Sequence, residues 1–127
     1  MKKMFLLFSH KLTQTQKDNA IKSFGVKEFI YLPKNLQELF SNIPSDIYSL
    51  KEYLTPIKGF LKEYSKKDDV VIIQGDFGAT FILVNFAKSL ELKVVYATTK
   101  RVIQEFYEDD KIVKKSIFEH ERFREYE

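Results

Sequence analysis

Apolar residues follow two rhythms along this chain. Phe5-Leu6-Leu7-Phe8 and Val70-Val71-Ile72-Ile73 are unbroken runs bounded by polar residues, as expected of strands covered on both faces. Lys27 to Leu32, closed by Pro33, and Lys93 to Ala97 predict two further strands. Between the strands the spacing becomes helical. Ala20, Ile21 and Phe24 form one stripe, introduced by the capping-box pair Thr13 and Gln16 and stopped by Gly25. Leu36, Leu39, Phe40 and Ile43 form a second, up to Pro44. Ile47, Leu50, Leu54, Ile57, Leu61 and Tyr64 read as one long amphipathic helix. Pro56 sits inside it and predicts a kink or a restart, with Thr55 as N-cap and Pro56 at the first helical position. Lys66-Lys67-Asp68-Asp69 reads as a solvated turn.

The helix predicted from about Phe77 to Leu90 is apolar around most of its circumference, through Phe81, Ile82, Leu83, Val84, Phe86, Ala87 and Leu90. Such a helix needs cover on more than one side. The sheet supplies one cover and a second copy of the protein is expected to supply the other. After Lys93–Ala97, the polar Thr98-Thr99-Lys100-Arg101 reads as the loop that ends the fourth strand. Val102, Ile103, Phe106 and Tyr107 fit either period over residues 101–108, but Asp109-Asp110 makes a turn and Ile112-Val113 with Ile117-Phe118 favour strand. A C-terminal β-hairpin is preferred. Strands alternating with helices predict a single α/β domain over residues 1–127, with a mainly parallel sheet and helices on both faces.

Ligands of such sheets bind beyond the carboxyl ends of the strands. That rule selects three loops. Gln74-Gly75-Asp76-Phe77-Gly78-Ala79 joins a strand to a helix, where glycines permit close backbone approach and unpaired N–H groups attract an anion. It matches neither the dinucleotide fingerprint nor the Walker loop. The competing reading is a tight turn with Asp76 as a helix cap. Thr98, Thr99, Lys100 and Arg101 place two hydroxyls and two cations at the next strand end, suited to phosphate; the competing reading is a solvated basic turn. Ser9-His10-Lys11 offers a histidine, a residue type able to donate and accept protons in catalysis; the competing reading is a surface or capping histidine. His120, with Arg122 and Arg124 at alternate positions, can line one face of the last strand or pair with neighbouring acids. Phe77 and Tyr96 flank the predicted site and can stack on a base.

Composition narrows the field. The chain has 127 residues, of which 44% are hydrophobic and 31% charged, a globular balance and not a disordered one. Without cysteine, thiol catalysis and cysteine-ligated metals are excluded, and two histidines far apart do not favour a metal cage. The net charge of +3 is too mild to prove an anionic partner. Met1-Lys2-Lys3 before a five-residue apolar run is too short for a secretory signal, no segment is long enough to span a membrane, and a cytoplasmic location is expected.

Four blocks in order carry a resemblance: Phe5 to Thr13, Gln74 to Ala79, Val95 to Arg101, and Phe118-x-His120-x-x-Phe123-Arg124-x-Tyr126. Together with Pro33, Leu36-Gln37, Ile43-Pro44 and Pro56-Ile57, they resemble a small family of stand-alone CRISPR-associated proteins with a CARF-like, Rossmann-like domain. The family's turn is of Asp-Gly type where this chain has Asp109-Asp110. The resemblance implies a ring nuclease of type III CRISPR systems. Such a protein binds cyclic oligoadenylate, chiefly cyclic tetra-adenylate, across a homodimer and cuts it, without a cofactor, ending the antiviral signal.

The chemistry is arguable from the substrate. The ribose 2′-hydroxyl is the nucleophile; it needs alignment with the leaving 5′ oxygen and charge stabilisation on the phosphate. Neither need calls for a metal. Lys100 and Arg101 are expected to neutralise the scissile phosphate, with Thr98 and Thr99 holding it. The backbone of Gly75 to Ala79 holds phosphate or ribose. His10, supported by Ser9 and Lys11, is the acid–base candidate. The rival readings are a non-catalytic sensor or sponge for the same ring, and an unrelated nucleotide-binding α/β domain.

Overall fold

The structure, a computed structural model, describes residues 1–127. Nine elements alternate as the hydrophobic pattern requires: β1 (Lys3–Phe8), α1 (Gln14–Phe24), β2 (Glu28–Tyr31), α2 (Lys34–Ser41), α3 (Thr55–Tyr64), β3 (Val70–Gln74), α4 (Phe77–Ser89), β4 (Lys93–Glu108) and β5 (Lys111–Glu125). They form an α/β fold around one five-stranded sheet of order β2-β1-β3-β4-β5. The first four strands are parallel and β5 runs antiparallel to β4. No helix is long and apolar enough to cross a membrane.

The unbroken apolar runs are the centre of this sheet. In β1, Phe5 and Leu7 point to one face and Met4 and Leu6 to the other, and all four are fully buried. β3 divides in the same way. The two faces are unequal. The first packs a cluster of 16 buried residues under α2, α3 and α4; the second packs 9 under α1 alone. Each buried Leu or Ile contributes about 1.5–3 kcal/mol, so the three-helix face carries most of the apolar stabilisation.

Local chemistry sets the helix ends. Thr13 and Gln16 make the capping box at α1, and Gly25 takes the left-handed conformation, φ 69°, at its other end. The long helix expected over residues 47–64 is only its second half. Ser45, Asp46 and Ser49 favour turns, Tyr48 is fully exposed, and regular helix starts at Thr55. The Thr55 hydroxyl bonds back to the Lys51 carbonyl, so Thr55 lies inside the turn and Leu54 is the N-cap.

Asp69 is another correction. Within the expected solvated turn its side chain is buried, only 4% exposed. Its carboxylate accepts hydrogen bonds from the N–H groups of Lys3 (3.1 Å) and Lys66 (2.9 Å), while its carbonyl accepts from Lys93 N–H. One residue thus ties together the starts of β1, β3 and β4.

The largest departure is β4. Thr98 to Arg101 is not a loop ending a strand. β4 continues through it to Glu108 and pairs with β5 along its whole length. Pairing with β3 covers only Lys93 to Val95. From Thr99 onward the β4–β5 pair projects as a two-stranded arm, roughly 30 Å long at strand rise. Asp109 and Asp110 close it with φ of 52° and 61°. Two successive positive-φ residues are what a two-residue hairpin turn demands.

Candidate functional site

The strand order reverses between β1 and β3, since the chain leaves β1 toward β2 on one side and returns as β3 on the other. A crevice beyond the carboxyl ends is expected at such a reversal. Phe8 is in register with Gln74, and the Gln74 Oε1 accepts from the Ala97 N–H at 2.7 Å. Ser9, Gly75 and Thr98 therefore follow in one row on three adjacent strands. The three segments selected from the sequence share one edge of the sheet.

The β3–α4 segment is shaped by two constraints. A Cβ on Gly75 would lie 2.8 Å from Cζ of Phe40, a buried α2 side chain, so the backbone passes where only glycine fits without a shift. Asp76 is the N-cap of α4: its Oδ2 accepts from Ala79 N–H at 3.0 Å, and its carbonyl accepts from Thr80 N–H. The cap alternative for Asp76 is the one observed. Ala79 is buried with its N–H taken and offers a ligand nothing. The amides of Phe77 and Gly78 have no intrahelical acceptor. Phe77 itself is 96% exposed, a bare ring at the head of α4.

Several expected ligands are engaged elsewhere. The Gln74 side-chain oxygen holds β4. The Thr98 hydroxyl donates to the Arg122 carbonyl (2.9 Å) and accepts from the Arg122 N–H (3.2 Å), bracing the bulge at which Glu121 lacks a partner. Tyr96 packs against Tyr126 at 4.8 Å, with the Arg124 guanidinium over its ring at 5.7 Å. Of the two aromatic candidates, only Phe77 is free to stack.

The cations do not converge within one chain. Lys100 and Arg101 are consecutive residues of a strand and so point to opposite faces. Lys100 faces the α2–α4 side, 3.9 Å from Glu121. Arg101 faces the α1 side, where its Nε donates to the Ser116 hydroxyl at 3.1 Å. Thr99, Phe118 and His120, together with the start of α1, line a 440 Å³ cleft on that same side. His10 is exposed, edge-on to Phe8 at 5.4 Å. With Ser9, Lys11, Lys34 and Gln37 it borders a different cleft, of 420 Å³, toward β2. The Ser9 hydroxyl lies 3.1 Å from that of Ser41.

His120 does not share a face with Arg122 and Arg124. The bulge at Glu121 turns it toward α1, where Nε2 is 2.7 Å from Asn19 Oδ1 and the ring packs on Phe123. Asn19 Oδ1 is an acceptor, so Nε2 carries the proton and Nδ1 is left buried without a partner. Burial lowers the pKa of His120, opposed in part by the negative charge of Glu121.

From the sequence, Tyr126 had no role beyond closing the fourth block of the resemblance, and Thr80 was not singled out. Tyr126 donates its hydroxyl to the Ile73 carbonyl at 2.6 Å, and burial raises its pKa, helped by Tyr96. With Gln74, Gly75, Phe77 and Thr80 it lines a 380 Å³ cleft at the β3 end, into which the α4 groove bearing Phe81 and Lys88 opens. The Thr80 hydroxyl is buried there without a partner. No local pattern marks the contact that Tyr126 makes with Ile73, or a Thr on a mostly apolar helix.

Comparison with known proteins gives the chain a family. A profile described as the Uncharacterized protein MJ1673 family matches residues 2–124. Uncharacterized protein MJ1673 of Methanocaldococcus jannaschii is 56% identical over 126 residues, covering 99% of this chain and 98% of that protein. No solved structure matches. With nearly its whole length matched on both counts, the chain belongs to the MJ1673 family.

Proposed function

We propose that the protein binds cyclic oligoadenylate, chiefly cyclic tetra-adenylate, at the carboxyl edge of β1, β3 and β4 and opens the ring. The reading takes the fold as Rossmann-like, of the CARF type, and the molecule as a homodimer. The observation that carries it is the alignment of Ser9, Gly75 and Thr98 in one row at the strand-order reversal. In that row, the free Phe77 and Gly78 amides receive a phosphate or ribose, and the Phe77 ring stacks on adenine.

In the reaction, the ribose 2′ oxygen attacks phosphorus. The bond from phosphorus to the 5′ oxygen breaks, leaving a 2′,3′-cyclic phosphate and a 5′-hydroxyl. His10 is assigned to take the 2′ proton, and the leaving 5′ oxygen takes one from solvent water. Lys100 and Arg101 stabilise the charge. Because His10, Lys100 and Arg101 face different sides of one chain, a second copy must complete the constellation.

That same divergence favours a second reading, a protein that binds the ring without cutting it. Incubation of the pure protein with labelled cyclic tetra-adenylate in excess EDTA separates the two. Linear products ending in 2′,3′-cyclic phosphate or its hydrolysed form are expected. Tight binding with an intact ring supports the sponge, and no binding contradicts both. The Lys100→Ala/Arg101→Ala double variant is expected to lose binding or turnover with its fold intact; wild-type rates would remove the arm's base from the site.

A further inference from the structure

We infer that the free edge of β4 pairs antiparallel with the same edge of a second copy, joining two arms into one four-stranded ribbon. Beyond Gln74, β3 no longer covers β4, so Thr99 to Glu108 has β5 on one side and nothing on the other. Glu108 and Lys111 close the two-residue turn and bond to each other. By antiparallel alternation the even-numbered residues of β4 then bond to β5. The odd-numbered ones, Arg101, Ile103, Glu105 and Tyr107, direct N–H and C=O to the open edge.

A bare edge of this length is a template for pairing. The arm's other edge, on β5, carries Lys111, Lys114 and Lys115 and the bulge at Glu121, features that discourage pairing. The β4 edge has no proline, no bulge and no lysine after Lys100. Ile103 is 57% and Tyr107 82% exposed on it. A two-stranded ribbon is marginal alone, whereas four strands are not.

The occupant is a second copy because the edge complements itself. A two-fold axis at Gln104 sets Lys100 opposite Glu108, Val102 opposite Phe106, Ile103 opposite Glu105 and Arg101 opposite Tyr107. Opposite charges meet at both ends and apolar side chains lie between them. Moving the axis one residue toward the turn would put Glu105 opposite Glu105. The Gln104 register also uses the free edge from Lys100 to Glu108: each arm ends with Glu108 opposite Lys100, and its turn at Asp109-Asp110 meets the other copy's β3–α4 segment, since Gly75 already fills the place beside Thr98. The dimer does not depend on the cyclic-nucleotide reading. Its bearing on the site does.

Sedimentation of the full chain over a range of concentrations tests the pairing. Wild type is expected to dimerise. Ile103→Pro removes an N–H that faces the open edge and leaves the hairpin's own bonds, so it is expected to be monomeric with an unchanged circular dichroism spectrum. Lys100→Glu is expected to weaken the dimer about tenfold, since two facing pairs become repulsive. Adding Glu108→Lys in the same chain is expected to restore it. A wild-type monomer at every concentration, a dimer unaffected by Ile103→Pro, or no rescue by the charge swap overturns the inference. Ring binding measured on the wild-type dimer reports on the ring reading separately: a dimer that binds no cyclic tetra-adenylate contradicts that reading and leaves the pairing standing.

Discussion

From Lys93 to Val95, β4 pairs with β3 and meets the end of β5 at Val95, with Val94 and Val95 buried; from Thr99 to Glu108 its one neighbour is β5, and Ile103 and Tyr107 stand in solvent. The first half is specified by what packs on its two faces. The second is specified by a turn and cross-strand pairs such as Glu105 with Lys114, 3.7 Å apart. The same strand therefore answers to core packing at one end and to backbone pairing at the other. The candidate site sits at the junction, where β3 stops.

Substitutions sharpen that contrast. Ile72→Ala, in the fully buried part of β3, is expected to cost about 3 kcal/mol, and Ile103→Ala on the arm less than about 0.5 kcal/mol of monomer stability. Denaturant melts below the dimerisation range check both; equal losses would break the distinction. Asp69→Ala comes next, at about 2 kcal/mol, because it leaves the Lys3 and Lys66 amides without their acceptor. A loss under about 0.5 kcal/mol would return Asp69 to the solvated turn read from the sequence.

The smallest effect is a pH dependence where the arm's base meets α1. The unfolded chain takes up the His120 proton near the ordinary value of 6.5, the native chain only at a lower pH. The unfolded state binds more protons between those two values. Stability is then fully present above the unfolded pKa, falls as the pH drops through the native one, and levels off below it. Thermal melts from about pH 7.5 to 5 are expected to show this loss in wild type and to lack it in His120→Phe. An identical profile in both proteins would contradict the burial of Nδ1.

What was legible in the sequence follows the same line. Phe5–Phe8, Val70–Ile73, the Thr13–Gln16 box and Gly25 were readable because each local signal agrees with the fold around it. That the three segments share the carboxyl edge followed from strand–helix alternation; the strand order that sets them side by side did not. The end of β4 was not readable. Thr98 to Arg101 is polar because the strand leaves the core there, and polarity alone does not separate a loop from an exposed ribbon. The opposed directions of Lys100 and Arg101 follow from that missed continuation. Asp69, Thr80 and Tyr126 were hidden because their roles depend on partners distant in sequence. For Tyr126 the partner is the Ile73 carbonyl.

The account rests on the carboxyl edge of β1, β3 and β4 being where a cyclic oligoadenylate lands. Titrating the isotope-labelled protein with cyclic tetra-adenylate and following every backbone amide by NMR tests this directly. The account predicts saturable shifts at Ser9 to Lys11, at Gly75 to Gly78 and at Thr98 to Arg101. Shifts confined to the cleft between α1 and His120, or none at all, would contradict it.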